Sequence, residues 1–117
     1  MRIVKLIAGA ISGALAAACA TGAAPVETVS AKIQAGALIV DVRSPGEYAD
    51  GHYDGAINIP VDELDARLAE LGPKDRAVVV YCRSGHRSAK AKARLDAAGF
   101  TDVTDGGWLG RMPPRAK

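Results

Sequence analysis

The stretch Ala77-Val78-Val79-Val80-Tyr81-Cys82-Arg83-Ser84-Gly85-His86-Arg87-Ser88 decides how this chain is read. Residues 77–81 form an apolar, β-branched run of the kind that makes a buried strand. Beyond Ser88, Ala and Leu recur at helical spacing. A strand is therefore expected to deliver Cys82 into a short loop, and that loop opens a helix. There the sulfur meets unpaired backbone N–H groups, the positive end of a helix dipole, and two arginines, Arg83 and Arg87. Each favours the thiolate. A free cysteine titrates near ~8.5, and such surroundings bring it to roughly 3.5–7.5. The loop reads as a nucleophile in an anion cradle.

Working outward, Val26-Glu27-Thr28 predicts a short first strand, and Ser30 caps one or two helical turns that end at Gly36. Ala37 to Val42 is a continuous apolar strand with one acid, Asp41. Ser44-Pro45 opens a short helix, with Ser at the cap and Pro at the first position. Ala56 to Ile59 is a further strand, closed by Pro60. Asp62 caps a helix whose Leu64, Leu68 and Leu71 share a face, and Gly72-Pro73 stops it. After the cysteine loop, Ala91, Leu95 and Ala98 mark a helix that Gly99 ends, and Thr101 to Thr104 predicts the last strand. Strands alternating with short helices indicate an α/β domain with a mainly parallel sheet. Ligands of such sheets sit beyond the carboxyl ends of the strands, where Cys82 stands.

The chain has 117 residues. Met1 to Lys5 carries two positive charges and no acid, Leu6 to Ala18 is uncharged, and small residues follow through Ala20. This is the order of an export signal. Its apolar run of 13 residues falls short of a comfortable bilayer span, which needs about 20. Leu15-Ala16-Ala17-Ala18-Cys19 also resembles a lipoprotein signal, in which Cys19 becomes the lipidated first residue. Cleavage after Ala20 by an ordinary signal peptidase is the alternative. The expected organisation is a signal over 1–20, a linker over 21–25, one domain over 26–112 and an irregular tail over 113–117. The destination is the periplasm, with membrane attachment only through a lipid on Cys19.

Charge is unevenly placed. Residues 21–81 hold 5 basic and 10 acidic groups, whereas residues 82–117 hold 8 and 3. The whole balances, which argues against a nucleic-acid partner. The positive half is either a solvated Lys/Arg helix face or a field that draws in small anions. Without the leader, Cys82 has no partner for an internal disulfide and no second cysteine for a zinc site. A lone buried cysteine is often a small hydrophobe, but the Arg, Ser, Gly and His around this one set it apart.

Three motifs now stand in order: Asp41-Val42-Arg43-Ser44-Pro45-Gly46-Glu47-Tyr48 with Gly51-His52 and Gly55 to Pro60; Cys82 to Ser88; and Gly99-Phe100, Asp102-Val103 and Gly106-Gly107-Trp108. Together they resemble the signatures of rhodanese domains over residues 26–109, and the chain is similar to small exported single-domain sulfurtransferases of bacteria. The resemblance implies a three-layer fold with a five-stranded, mainly parallel sheet flanked by helices. It implies that a sulfane sulfur passes from thiosulfate, or a similar small anionic donor, through a Cys82 persulfide to cyanide or a thiol. Neither a metal nor an organic cofactor is implied, and a domain of this size is expected as a monomer. Four residues separate Cys82 from Arg87. A related phosphatase family with a similar fold carries one more, so phosphate or arsenate chemistry is disfavoured.

Within the loop, Cys82 is the expected nucleophile. Arg83, Ser84, Gly85, His86, Arg87 and Ser88 are the expected substrate cradle: Arg83 steers the anion, Arg87 closes the loop or binds the anion, and Gly85 lets N–H groups converge. Ser84 and Ser88 donate hydrogen bonds, Ser88 alternatively capping the helix, and His86 faces solvent. Asp41 and Arg43 support the site, pairing with each other or tying down the loop. His52 and Trp108 read as packing or hydrogen-bonding residues. Two rival readings remain: a persulfide carrier serving a partner protein, and a non-catalytic interaction module of the same family.

Overall fold

The computed structural model describes residues 22–115; the expected leader, including Cys19, lies outside them. Its elements run α1 (Val26–Gln34), β1 (Leu38–Asp41), α2 (Pro45–Asp50), β2 (Ile57–Asn58), two single 3₁₀ turns (Val61–Glu63 and Leu68–Leu71), β3 (Val78–Cys82), α3 (His86–Ala97), β4 (Val103–Trp108) and a last 3₁₀ turn (Leu109–Arg111). The strands form one sheet in the order β2-β1-β3-β4, and every pair is parallel.

Alternation along β3 decides what each face holds. Val78, Val80 and Cys82 point to one side, where they join Val40, Val42, Ile59, Leu64, Leu71, Ala91 and Leu95. Val79 and Tyr81 point to the other, with Val29 of α1, Ile39, Tyr53 and Met112. Helix α3 thus covers the face that carries the sulfur, and α1 covers its back. Both layers rest on valine-rich strands buried on two sides, as a parallel sheet requires.

The expected first strand at residues 26–28 is instead the start of α1. Pro25 sits at the cap with φ −55° and ψ 144°, and its carbonyl accepts the Val29 N–H at 3.1 Å. Val29 and Ile33, four residues apart, then face the sheet. Packing overrides the β-propensity of Val26 and Thr28. Ser30 consequently lies mid-helix and caps nothing. The described sheet has four strands, not five. The place beside β4 is held by the segment before Pro25, through one ladder-like bond from Ala24 N–H to Asp105 O at 2.8 Å. The expected linker is therefore, at its end, docked on the sheet edge.

The helix expected after Asp62 is also replaced. Every backbone bond from Glu63 to Gly72 closes on the third residue back, as in Leu64 N–H to Val61 O and Arg67 N–H to Leu64 O. These are 3₁₀ turns. Leu64 and Leu71 are nonetheless fully buried, so the apolar spacing was a core signal without the helix. Of the expected tail, residues 113–115 are described: Pro113 is buried, and its carbonyl accepts the Tyr53 hydroxyl at 2.7 Å.

On the back of the sheet, Asp41 is buried completely and fully employed. It accepts Arg43 Nε at 2.9 and 3.0 Å, Arg43 Nη2 at 2.6 Å, the Arg43 N–H at 2.9 Å and the Tyr81 hydroxyl at 2.8 Å. Arg43 goes on to Gly51 O at 2.7 Å. Asp41 and Arg43 thus pair with each other. Burial, with the Asp41 bond, holds the Tyr81 phenol above its ordinary pKa, so its hydroxyl keeps the proton it gives to Asp41. The same oxygen accepts the buried Tyr53 N–H at 2.9 Å. Tyr81→Phe strands that N–H and removes one Asp41 donor, and is expected to destabilise the domain by about 1–3 kcal/mol in urea unfolding.

Candidate active site: a buried thiolate cradle

Cys82 ends β3 at its carboxyl edge, beside the start of α3. The chain turns there because Gly85 takes φ +99°, a left-handed conformation that other residues adopt at a cost. That turn aims the Gly85 N–H at the sulfur, 3.0 Å away, and brings the Ser88 N–H to 3.3 Å. The sulfur thus sits at the N-terminus of a 12-residue helix, whose free N–H groups and dipole favour an anion.

A register shift between β3 and β4 shapes the other wall. Val80 pairs with Asp105 but Cys82 with Trp108, so β4 carries one residue more. Gly106 and Gly107 take up the excess. A Cβ on Gly106 would stand 3.2 Å from Val80 O and 2.7 Å from Met112 Sδ, so the backbone there must be bare. The bulge sends the Gly107 carbonyl to the Ser88 hydroxyl at 3.1 Å, clamping α3 to the sheet edge beside the sulfur.

Two opposing effects set the thiol's acidity. Burial, the larger single influence, pushes the Cys82 pKa up; hydrogen bonding from the Ser88 side chain and from the Ser88, Gly85 and Ser84 N–H groups pulls it down. The sum leaves the thiol below its ordinary value. The Ser88 hydroxyl has a single proton and sits 3.1 Å from Gly85 O as well as from Gly107 O. The firm donors are therefore the backbone N–H groups, and the hydroxyl is a donor that can turn to the sulfur when charge develops.

The arginines divide the work. Arg87 forms a two-pronged pair with Glu47 of α2, at 2.7 and 3.0 Å. Of its two expected roles, the structure displays loop closure, tying the start of α3 to α2. Arg83 is 76 % exposed and only 3.8 Å from Glu47, leaving its guanidinium available to an anion. It borders a cavity of about 510 Å³ with Arg43, Glu47 and Leu109. Ser84, Gly85 and His86 border a second cavity of about 370 Å³, facing Asp105 and Trp108. His86 is exposed, as expected.

Glu47 was missing from the residues expected at the site. Its sequence signal, Ser44-x-x-Glu47, is a capping box, and both halves of that box form. The same carboxylate reaches Arg87 as well, which only the fold reveals. The Arg87 guanidinium and the Ser44 N–H hold the Glu47 carboxyl at about 2, well below its usual range. His52 behaves as expected, stacked on Tyr48 at 3.7 Å. Trp108 does not: it is 43 % exposed and lines a cavity instead of the core. Among the described residues, no group of three or more His, Cys, Asp or Glu side chains converges to hold a metal.

The profile of the rhodanese-like domain matches residues 25–110. The chain is 44 % identical over 71 residues to thiosulfate sulfurtransferase PspE of Escherichia coli, covering 60 % of this chain and 68 % of that one. It is 37 % identical over 86 residues to thiosulfate sulfurtransferase GlpE of Stutzerimonas stutzeri, covering 72 % and 78 %. Among solved structures, a rhodanese with anions from E. coli superposes with a TM-score of 0.62 at 40 % identity, covering 65 % of this chain and 93 % of that one.

Two predictions test the cradle. Ser88→Ala is expected to raise the Cys82 pKa, read as an upward shift in the pH profile of alkylation by iodoacetamide. Glu47 has a depressed folded pKa, so its stabilising effect is present above the unfolded value near 4.5 and fades as pH falls toward about 2. The stability gap between wild type and Glu47→Gln should be constant from pH 7 to 5 and shrink below about pH 4.5, measured by urea midpoints.

Proposed function

This chain belongs to the rhodanese-like domain family, and on that premise we propose that it is a single-domain thiosulfate sulfurtransferase whose sulfur travels on Cys82. The observation that carries the reading is the sulfur itself: the described cysteine, buried yet held below its ordinary pKa by converging N–H donors. The relatives named thiosulfate sulfurtransferase support the donor.

In the first step the Cys82 thiolate attacks the outer sulfur of thiosulfate. A new S–S bond forms, the old one breaks, and sulfite leaves with the electron pair, so Cys82 carries a persulfide anion. In the second, cyanide or a thiolate attacks the terminal sulfur and the pair returns to Cys82. The lowered pKa of Cys82 favours the thiolate that this step uses. The Gly85 and Ser88 N–H groups hold the negative charge through both steps. Arg83 draws the anionic donor toward the loop, and Arg87, engaged by Glu47, keeps the loop closed. Asp41 and Arg43 support the site from behind.

Residues 1–20 are read as an export signal, and the pattern through Ala20 supports delivery outside the cytoplasm. Mass spectrometry of the mature protein is expected to find its N-terminus within residues 19–21; an intact Met1 in exported material would overturn the reading. A fatty-acid probe retained on the protein distinguishes lipidated Cys19 from cleavage after Ala20.

Incubation with thiosulfate should add one sulfur atom to the intact mass of the wild type and none to Cys82→Ser. With cyanide present, thiocyanate should form catalytically. Arg83→Ala should raise KM for thiosulfate roughly tenfold, the loss of one charge-assisted contact. No adduct on the wild type would overturn sulfur transfer, and an adduct without turnover would make the protein a persulfide carrier.

A further inference from the structure

The smaller cavity contains a group that the reaction with thiosulfate does not use. Asp105 is 3 % exposed and borders this space with Ser84, Gly85, His86 and Trp108. Its Oδ1 accepts the Gly107 N–H at 2.8 Å. Its Oδ2 accepts no hydrogen bond among the described residues, and lies 3.8 Å from where a Cβ on Gly22 would stand, on the cavity wall. Arg111, which follows on the same edge, is engaged elsewhere. It spends its guanidinium on Gly106 O at 3.2 Å and Ala24 O at 2.6 Å, and forms no ion pair with Asp105 among the described residues. A buried carboxylate oxygen without a donor is uncommon and calls for a partner.

Trp108 narrows the choice of that partner. Arg111 lies over its ring, 5.8 Å from the centroid, and a Cβ on Gly85 would stand 3.9 Å from its Cε3. A buried carboxylate beside an exposed indole is the pairing that takes an organic ammonium. The same carboxylate repels a dianion such as thiosulfate, which assigns the cavity to the second half of the reaction. Gly85 joins the two places: its N–H is 3.0 Å from the Cys82 sulfur, and the residue also borders the cavity.

We propose that this cavity is a subsite for the primary ammonium group of the sulfur acceptor, so that the domain hands its sulfane sulfur preferentially to aminothiols. The inference rests on the sulfurtransferase reading for its second half. With the ammonium on Asp105 Oδ2, the acceptor's thiolate attacks the terminal sulfur of the Cys82 persulfide. The new S–S bond forms on the acceptor, the Cys82 S–S bond breaks, its electron pair stays on Cys82, and the thiol proton goes to solvent.

Trp108 is the single tryptophan of the chain, so its fluorescence reports on the cavity without turnover. Titration with ethylammonium chloride, against sodium chloride, should give a saturable change in the wild type. Asp105→Asn, which keeps an oxygen for the Gly107 N–H, should abolish it. In persulfide transfer, Asp105→Asn should raise KM for cysteamine about tenfold and leave KM for 2-mercaptoethanol nearly unchanged. Trp108→Leu, at an exposed position, should lower the same selectivity and covers a failure of Asp105→Asn to fold. No response to ethylammonium in the wild type, or an equal rise in KM for both thiols, overturns the proposal. A fluorescence response with no persulfide formed from thiosulfate would leave the ammonium subsite standing and sink the transferase reading instead.

Discussion

The Gly85 and Ser88 N–H groups lie 3.0 and 3.3 Å from a sulfur with no exposed surface. Burial alone would keep that sulfur protonated and inert. Hydrogen bonding from the Ser88 side chain and the loop N–H groups outweighs that burial and leaves the thiol below its ordinary pKa. The N–H groups converge because Gly85 accepts a left-handed turn and β3 leads into α3. The surrounding structure holds this arrangement in place. The β4 bulge supplies the Gly107 carbonyl that grips Ser88, and α2 supplies the carboxylate that grips Arg87.

Glu47 is where distant parts of the chain meet. It caps its own helix through Ser44 and pairs with Arg87, forty residues away. With that pairing, the cradle's two arginines take different tasks, one closing the loop and one left available to solvent and anions. Behind the sheet, Asp41, Arg43, Tyr81 and Tyr53 make a satisfied polar network at the same edge. Such networks rigidify a site when every member is paired.

The uneven charge of the chain also resolves into pairs. Arg87 with Glu47, Arg94 with Asp65, and Lys32 with Asp102 join the acidic and basic halves across the fold. Arg87, Lys92 and Arg94 of the basic half are thus paired, while Arg83 stands exposed in the cradle. The reading of a plain Lys/Arg helix face holds for Lys92, paired with Asp96 four residues on. At the cradle, Arg83 and the loop N–H groups are what an anion meets.

The sequence by itself determined the strand-cysteine-loop-helix unit and the apolar strands around it, because these follow from local periodicity and a glycine, and it left the Asp41–Arg43 pair as one of two readings. It misjudged Val26 to Thr28 and the run after Asp62, where packing against the sheet chose a helix and then 3₁₀ turns around the same buried side chains. Only the tertiary structure decided that Glu47 belongs to the cradle, that Trp108 faces a cavity and that an Asp105 oxygen without a hydrogen bond among the described residues borders it. Each depends on residues tens of positions apart meeting at the carboxyl edge of a parallel sheet, and no local pattern encodes that meeting. The buried, acidified Cys82 stands on both sources: its neighbours in sequence provide the donors, and the fold removes the water.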